Sequence, residues 1–303
     1  MTDIRLALSG LALAFAVQAG GLAQDVTPTR QTAEAWLTAY QAQNFEAMRS
    51  LLDQNSVFID PTSLGRESFG NPINWQGADA ILAGVRSWGV TDAQYHFDRT
   101  YESPGRVIYD GSIDVTYGAP DNQVSYNFPI ITIVTVANGM VVEHRDYTDF
   151  EGAQSLGGEP APLTDNSIIN AYMAAYSAAD FDAMEPFLAE DVVFSDPTAT
   201  GLGEAGLLHH GREDIMAALR EFDSNNNPIG LNFEWDTVFE SNDRYVYMGR
   251  VNATYPTQQE GMVFQWSAAQ TTVIHLRDGL VVEQYDFADY EGAEQGLVPE
   301  SAN

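Results

Sequence analysis

The sequence predicts an α+β protein made of two tandem copies of one domain, each with three N-terminal helices packed on a curved, mainly antiparallel sheet. Three observations lead there. Residues 39–62 return at 175–198 with 12 of 24 positions identical and no gap, where unrelated segments would share roughly one or two given average residue usage. A second pair, NGMVVEHRDYTDFEGA at 138–153 and DGLVVEQYDFADYEGA at 278–293, closes each copy. Within each copy helical spacing comes first and strand character second, the order of an α+β layer.

The elements follow in order. After a short polar lead at 25–30, Ala33, Trp36, Leu37 and Tyr40 recur at helical spacing. Ile168, Ile169, Tyr172, Met173 and Tyr176 do the same in the second copy, where Thr164 or Asp165 can cap the start. Residues 45–52 and 181–188 read as a second, short helix. Residues 57–59 and 192–195 are apolar runs stopped by Asp-Pro, which marks a strand ending in a turn. A loop rich in Gly, Asn and Pro comes next, then a third helix at 78–88 and at 212–222. Its apolar face is Ile81, Leu82, Val85 and Trp88 in one copy and Ile215, Met216, Leu219 and Phe222 in the other. Four strands, 95–101, 107–117, 124–136 and 140–149, complete the first copy. Asn138-Gly139 and Asp278-Gly279 are hairpin dipeptides joining the last two strands antiparallel. GGEPAP at 157–162 is the expected linker between domains at 28–156 and 163–296, and 297–303 reads as a loose tail.

Ahead of the first domain, the apolar run Leu6–Val17 follows Arg5 and precedes the small residues Ala19, Gly20, Gly21 and Ala23. That pattern predicts a secretory signal peptide over residues 1–23, too short to span a bilayer as a stable helix. With no Cys behind it to carry a lipid, a periplasmic or secreted protein is expected.

Composition narrows the chemistry. There are 43 acidic and 13 basic residues, a net charge of −30, and every basic residue is arginine. Such an acidic, lysine-free surface resembles that of proteins from salty environments, where self-repulsion is screened. It repels nucleic acid and anionic membranes, so neither is an expected partner. Without Cys there is no thiol nucleophile, thiolate metal site or disulfide. Without Lys there is no Schiff base and no phosphate-binding loop of the usual kind. Carboxylate, histidine, tyrosine and arginine chemistry remains, with no cofactor or metal expected.

The element order, the Asp-Pro after the first strand, the glycine before the third helix (Gly77 and Gly211) and the closing RDYTD resemble the NTF2-like superfamily, and within it the SnoaL-like cyclases and limonene-epoxide-hydrolase-like proteins. The likeness covers nearly all of 31–153 and 165–293. It implies cone-shaped domains, each enclosing one apolar pocket with acidic or tyrosine residues inside. In the epoxide hydrolases the last strand carries W-R-D-Y-x-D, whose first Asp takes a proton from water. By that resemblance HRDYTD places Asp146 in the role, with His144 where the Trp stands, and QYDFAD places Asp286 there. Those enzymes also use an Arg-x-Asp pair on a neighbouring strand. Ser112-Ile113-Asp114 keeps the acid and Arg250-Val251-Asn252 keeps the arginine; neither copy keeps both.

Asp146 with Asp114 is the expected catalytic pair, because two carboxylates in an apolar pocket are pushed to different pKa values by desolvation and repulsion. Asp286 and Arg250 are the second copy's counterparts. Alternation puts Val142, His144 and Asp146 on one face and Tyr147 and Asp149 on the other; Asp149 and Asp289 take the place of Asp146 and Asp286 if a bulge shifts the register. Asp60 and Asp196, each before Pro-Thr, either cap a turn or touch a ligand. Tyr40 and Tyr176 sit on core stripes, where a hydroxyl can point into the pocket. With His144 and Asn252 they complete the expected substrate-binding set, while Trp88, Tyr95, Phe97 and Tyr117 read as lining or core. His209-His210 point different ways and make no metal site. GLGEAG at 201–206 matches a dinucleotide pattern in letters alone, in a loop setting. The expected function is binding of a small, largely apolar organic molecule, with cofactor-free acid/base chemistry of hydrolase, dehydratase or isomerase type. The alternative is a non-catalytic binding or interaction module in which duplication replaces a homodimer.

Overall fold

A computed structural model of the chain describes residues 26–63, 72–152, 154–155, 167–199 and 206–300. The signal segment, the linker, the cap at Thr164 or Asp165 and all but the last residue of GLGEAG lie outside the described residues. The first repeat runs α1 (Pro28–Gln41), α2 (Phe45–Leu51), β1 (Leu52–Asp60), a 3-10 turn (Pro61–Ser63), β2 (Ile73–Gln76), α3 (Ala78–Ser87), β3 (Val90–Ser103), β4 (Arg106–Tyr117), β5 (Val124–Ala137), β6 (Met140–Thr148) and β7 (Gln154–Ser155). The second runs α4 (Ser167–Ser177), α5 (Phe181–Met184), a 3-10 turn (Glu185–Phe187), β8 (Leu188–Asp196), β9 (Leu207–His210), α6 (Arg212–Asn226), β10 (Gly230–Ser241), β11 (Arg244–Pro256), β12 (Met262–Arg277), β13 (Leu280–Ala288) and β14 (Glu294–Pro299). Among the described residues, internal contacts group 26–155 with Thr237–Val246, and 167–236 with 247–300.

Local chemistry sets the helix ends. The Thr27 hydroxyl accepts the Arg30 N–H at 3.1 Å with Pro28 in the first turn, and Asn44 caps α2 at Ala47 N. Gly77 and Gly211 precede the third helices at φ +86° and +85°, a region that costs any residue with a Cβ about 1–2 kcal/mol. In the second repeat the second helix stops at Met184, short of the expected 188, and tightens into 3-10 geometry around Pro186, which has no N–H to donate.

The first repeat's core joins Trp36, Leu37 and Tyr40 of α1 and Met48 of α2 to Ile81, Leu82 and Val85 of α3, all over sheet residues such as Phe58 and Val134. Helix α1 crosses β3 to β6, and α3 covers β1 and β2. Hydrogen bonding orders the strands β2-β1-β6-β5-β4-β3, with β7 added to β5; the second sheet is β9-β8-β13-β12-β11-β10, with β14 added to β12. Both closing hairpins are antiparallel, whereas β1–β6 and β8–β13 are parallel.

The expected cone is corrected by this order. Each sheet is an open path that ends at β2 and β3, or at β9 and β10, and these ends do not bond to each other. Neither sheet closes or curls into a cone. Two further expectations are corrected. The loop before each third helix contains a strand, β2 or β9. The tail expected to be loose contains Leu297–Pro299 of β14, which pairs Phe264 to Met262 on the stretch of β12 beyond its pairing with β13.

A bulge sets the face of β6. Pairing runs Val136↔Val141 and then Thr135↔Glu143, so Val142 is an extra residue; Val282 is its counterpart in β13. The side chains turned inward are therefore Val141, His144, Asp146 and Thr148, all buried, and Val142 leaves the face expected from strict alternation.

Candidate functional site

In the first repeat a pocket of about 560 Å³, mouth included, opens between helices and sheet. Its walls are apolar and aromatic, from Trp88, Ile113, Val115, Tyr117 and Phe128, and its polar groups are Asp60, Asp146, Thr148, Tyr40, Tyr95 and Gln43. Asp60 stands at the end of β1 and Asp146 on adjacent β6, since the β1–β6 register aligns Ile59 with Arg145. Both carboxylates are buried, and neither forms an ion pair with Arg among the described residues.

Their surroundings differ. Asp60 accepts Thr62 N–H at 3.0 Å, the Thr62 hydroxyl, and the Thr148 hydroxyl at 2.8 Å. Burial and then the charge of Asp146 nevertheless push its pKa from 3.8 up to about 8. It is therefore a protonated acid at neutral pH. Asp146 accepts the Thr132 hydroxyl at 2.6 Å, and its other oxygen lies 2.9 Å from His144 Nε2. The Trp36 indole N–H, which can only donate, lies 2.8 Å from His144 Nδ1. Nδ1 must accept, so the histidine proton sits on Nε2 and is donated to Asp146. Trp36 on α1 thus fixes the tautomer, and both Asp146 oxygens are acceptors.

Two phenols complete the site. Burial pushes both Tyr40 and Tyr95 well above the ordinary tyrosine range, so both stay protonated. The Tyr40 hydroxyl has no hydrogen bond among the described residues. Thr132 Oγ1 is 3.5 Å from the Tyr95 hydroxyl, at the edge of hydrogen-bonding range. The two rings lie 6.3 Å apart and both residues line the pocket.

The second repeat keeps the frame with other groups. Its pocket, about 650 Å³ with its mouth, holds Asp196, Asp286, Tyr176, Tyr290 and Gln270 among aromatic rings. Tyr172 and Gln284 stand where Trp36 and His144 stand, with Tyr172 OH donating to Gln284 Oε1 at 2.5 Å and Gln284 Nε2 donating to Asp286 at 3.0 Å. Asp286 also accepts Thr272 at 2.7 Å and Tyr176 at 2.9 Å. Burial pushes Asp286 up to about 7 and Asp196 up to about 6.

Of the residues singled out from sequence, Tyr40, Asp60 and Asp146 line the first pocket and Tyr176, Asp196 and Asp286 the second. His144 is buried behind Asp146. Asp114 does not join Asp146. Ile113 and Val115 face the pocket, so alternation turns Asp114 to the opposite side of β4, and β5 lies between β4 and β6. There it accepts Asn127 Nδ2 at 2.7 Å and bonds His96 at 2.9 Å. Arg250 and Asn252 flank pocket-lining Val251 and are likewise turned outward, to Ser267 at 3.0 Å and Glu234 at 3.1 Å. Asp149 and Asp289 accept turn N–H groups from Gly152 and Gly292. His209 bonds Asp214, and no cluster of three metal-ligating side chains occurs among the described residues.

Sequence reasoning missed Trp36, Thr132, Thr148, Gln270 and Tyr290 as site residues. Counting back from Asn138-Gly139 sets Ile131 opposite Asp146; the bulge makes it Thr132. A thread was present, because Thr132 and Thr272 stand fourteen residues before their aspartates in both copies.

The SnoaL-like domain model matches residues 33–144 and again 169–284, together well over half of the chain. The chain belongs to the SnoaL-like domain family. Solved structures similar to one SnoaL-like repeat include Rv0760c from Mycobacterium tuberculosis (14% identity, 44% of this chain and 98% of that one, TM-score 0.38). Others are Δ5-3-ketosteroid isomerase from a Mycobacterium species (16%, 43% and 99%, TM-score 0.38) and an NTF2-like protein of unknown function from Burkholderia pseudomallei K96243 (19%, 41% and 89%, TM-score 0.34). No curated protein sequence matches. The SnoaL-like fold of both repeats is consistent with small-molecule pockets, and no described helix is long and apolar enough to cross a membrane.

Proposed function

We propose that the first SnoaL-like repeat binds a small, largely apolar carbonyl compound and moves a proton on it without a cofactor. One observation supports this most directly: two buried carboxylates share one aromatic pocket, one of them held protonated and the other held as an acceptor. A carbonyl oxygen docked on the Tyr40, Tyr95 and Asp60 O–H groups would meet donors placed for negative charge developing on that oxygen. Asp146, fixed by Thr132 and His144, would take the proton from the adjacent carbon and return it there or further along the chain. Isomerisation or dehydration fits better than epoxide hydrolysis, because Asp114 and Arg250 are turned away from the pockets.

The test is deuterium exchange. A small cyclic enone incubated with the protein in heavy water should gain deuterium beside its carbonyl, read by proton NMR, and D146N should reduce the rate at least about hundredfold, the usual weight of a general base. Equal rates for wild type and D146N would overturn the reading. We also propose export from the cytoplasm, supported by the apolar run at 6–17 and the lysine-free acidic composition. N-terminal sequencing of the protein from its native host, finding residue 1 or 2 first, would reject it.

A further inference from the structure

The two pockets offer opposite hydrogen-bonding faces. The first has donors to spare in Tyr40 and Tyr95. In the second, Phe233 takes the place of Tyr95 against Tyr176, so one hydroxyl is absent, and the hydroxyls beside Asp286 and Asp196 already point at those carboxylates. Tyr176 and Thr272 donate to Asp286, and Thr198 and Tyr290 to Asp196.

Acceptors remain. An ionised carboxylate has about four acceptor positions. Asp286 uses three, for Thr272, Tyr176 and Gln284, whereas Asp196 accepts Thr198 N, Thr198 Oγ1 and Tyr290 and also faces the Ala199 N–H. A third acceptor is Gln270, which stands where the first repeat has Ile130. Its side chain is only 6% exposed and lines the pocket. Its Nε2 donates to Thr272 at 2.9 Å, and its Oε1 has no partner among the described residues. Among the described residues no Lys, Arg or His lines this pocket, while the aromatic side chains of Phe233, Tyr255 and Trp266 do.

We propose that the second pocket binds a protonated primary amine with an apolar, ring-sized body. An ammonium group supplies N–H donors for the open acceptor positions on Asp286 and Gln270, and its charge offsets carboxylates that have no counter-ion among the described residues. Ring faces add cation–π attraction. Near neutrality Asp196, raised only to about 6, is ionised, so the pocket already holds negative charge. The proposal is independent of the chemistry assigned to the first repeat.

Three probes of one shape test it on the whole protein: phenethylamine, phenethyl alcohol and phenylacetate, titrated by calorimetry at neutral pH. The amine should bind at least tenfold more tightly than the alcohol, and phenylacetate should not bind. NMR contacts from the amine's ring should reach the Trp266 indole in wild type, which needs no variant to fold. Q270L and D286N should each weaken the amine at least tenfold and leave the alcohol within about threefold, while D146N should leave amine binding intact. Alcohol or phenylacetate binding as tightly as the amine, contacts to Trp88 instead of Trp266, or no binding of any probe would each overturn the proposal.

Discussion

Replacing Asp60 by Asn should change how stability depends on pH. Asp60 has an ordinary pKa of 3.8 and a folded value of about 8. Below about pH 4 both folded and unfolded chains hold the proton and its charge costs nothing. From there to about pH 8 the unfolded chain ionises while the folded one keeps its proton, so stability falls as pH rises. Above the folded value both states are ionised and the loss is constant. At about 1.4 kcal/mol for each pH unit, the loss grows by about 4 kcal/mol between about pH 5 and about pH 8.5. Asn keeps the shape and cannot ionise, so this dependence vanishes in D60N. Any fixed cost from the Thr62 and Thr148 hydrogen bonds is the same at both pH values and cancels. Urea unfolding of wild type and D60N at the two pH values, followed on the transition that D60N moves, gives the difference. A change in the wild-type-minus-variant difference of less than about 1 kcal/mol would refute a buried, protonated Asp60.

Three other outcomes follow from the same geometry. W36F removes the donor to His144 Nδ1: long-range nitrogen–proton NMR of wild type should show a single Nε2–H tautomer, and W36F should show a mixture, whereas a mixture in wild type would contradict the assignment. T132V leaves an Asp146 oxygen without its hydroxyl and should cost about 1–3 kcal/mol in chemical denaturation; a cost near zero would mean that water replaces it freely. G77A forces a Cβ into φ +86° and against the Gln54 carbonyl at 3.3 Å, so the first repeat should lose about 1–2 kcal/mol, with an unchanged midpoint as the contrary result.

Sequence by itself determined the duplication, the helix-then-strand order and the closing hairpins, because all three are written in local patterns: repeated letters, apolar spacing of 3.6 or 2, and turn dipeptides whose residues take positive φ, as at Asn138 and Gly139. The repeated Asp-Pro-Thr also drew attention to Asp60 and Asp196, while Asp146 and Asp286 were singled out by the resemblance of the closing strand to the epoxide hydrolases. Only the tertiary structure decided which carboxylates meet. Asp114 was the expected partner of Asp146, yet alternation turns it outward, and the parallel pairing of β1 with β6 brings Asp60 instead. That parallel pair joins residues far apart in the chain, and no turn dipeptide announces it. The bulge at Val142 is equally silent in the letters, although it places Thr132 opposite Asp146 and turns His144 toward Trp36. Sheet closure was likewise undecidable from local pattern, because whether two edge strands meet depends on the accumulated twist of every strand between them.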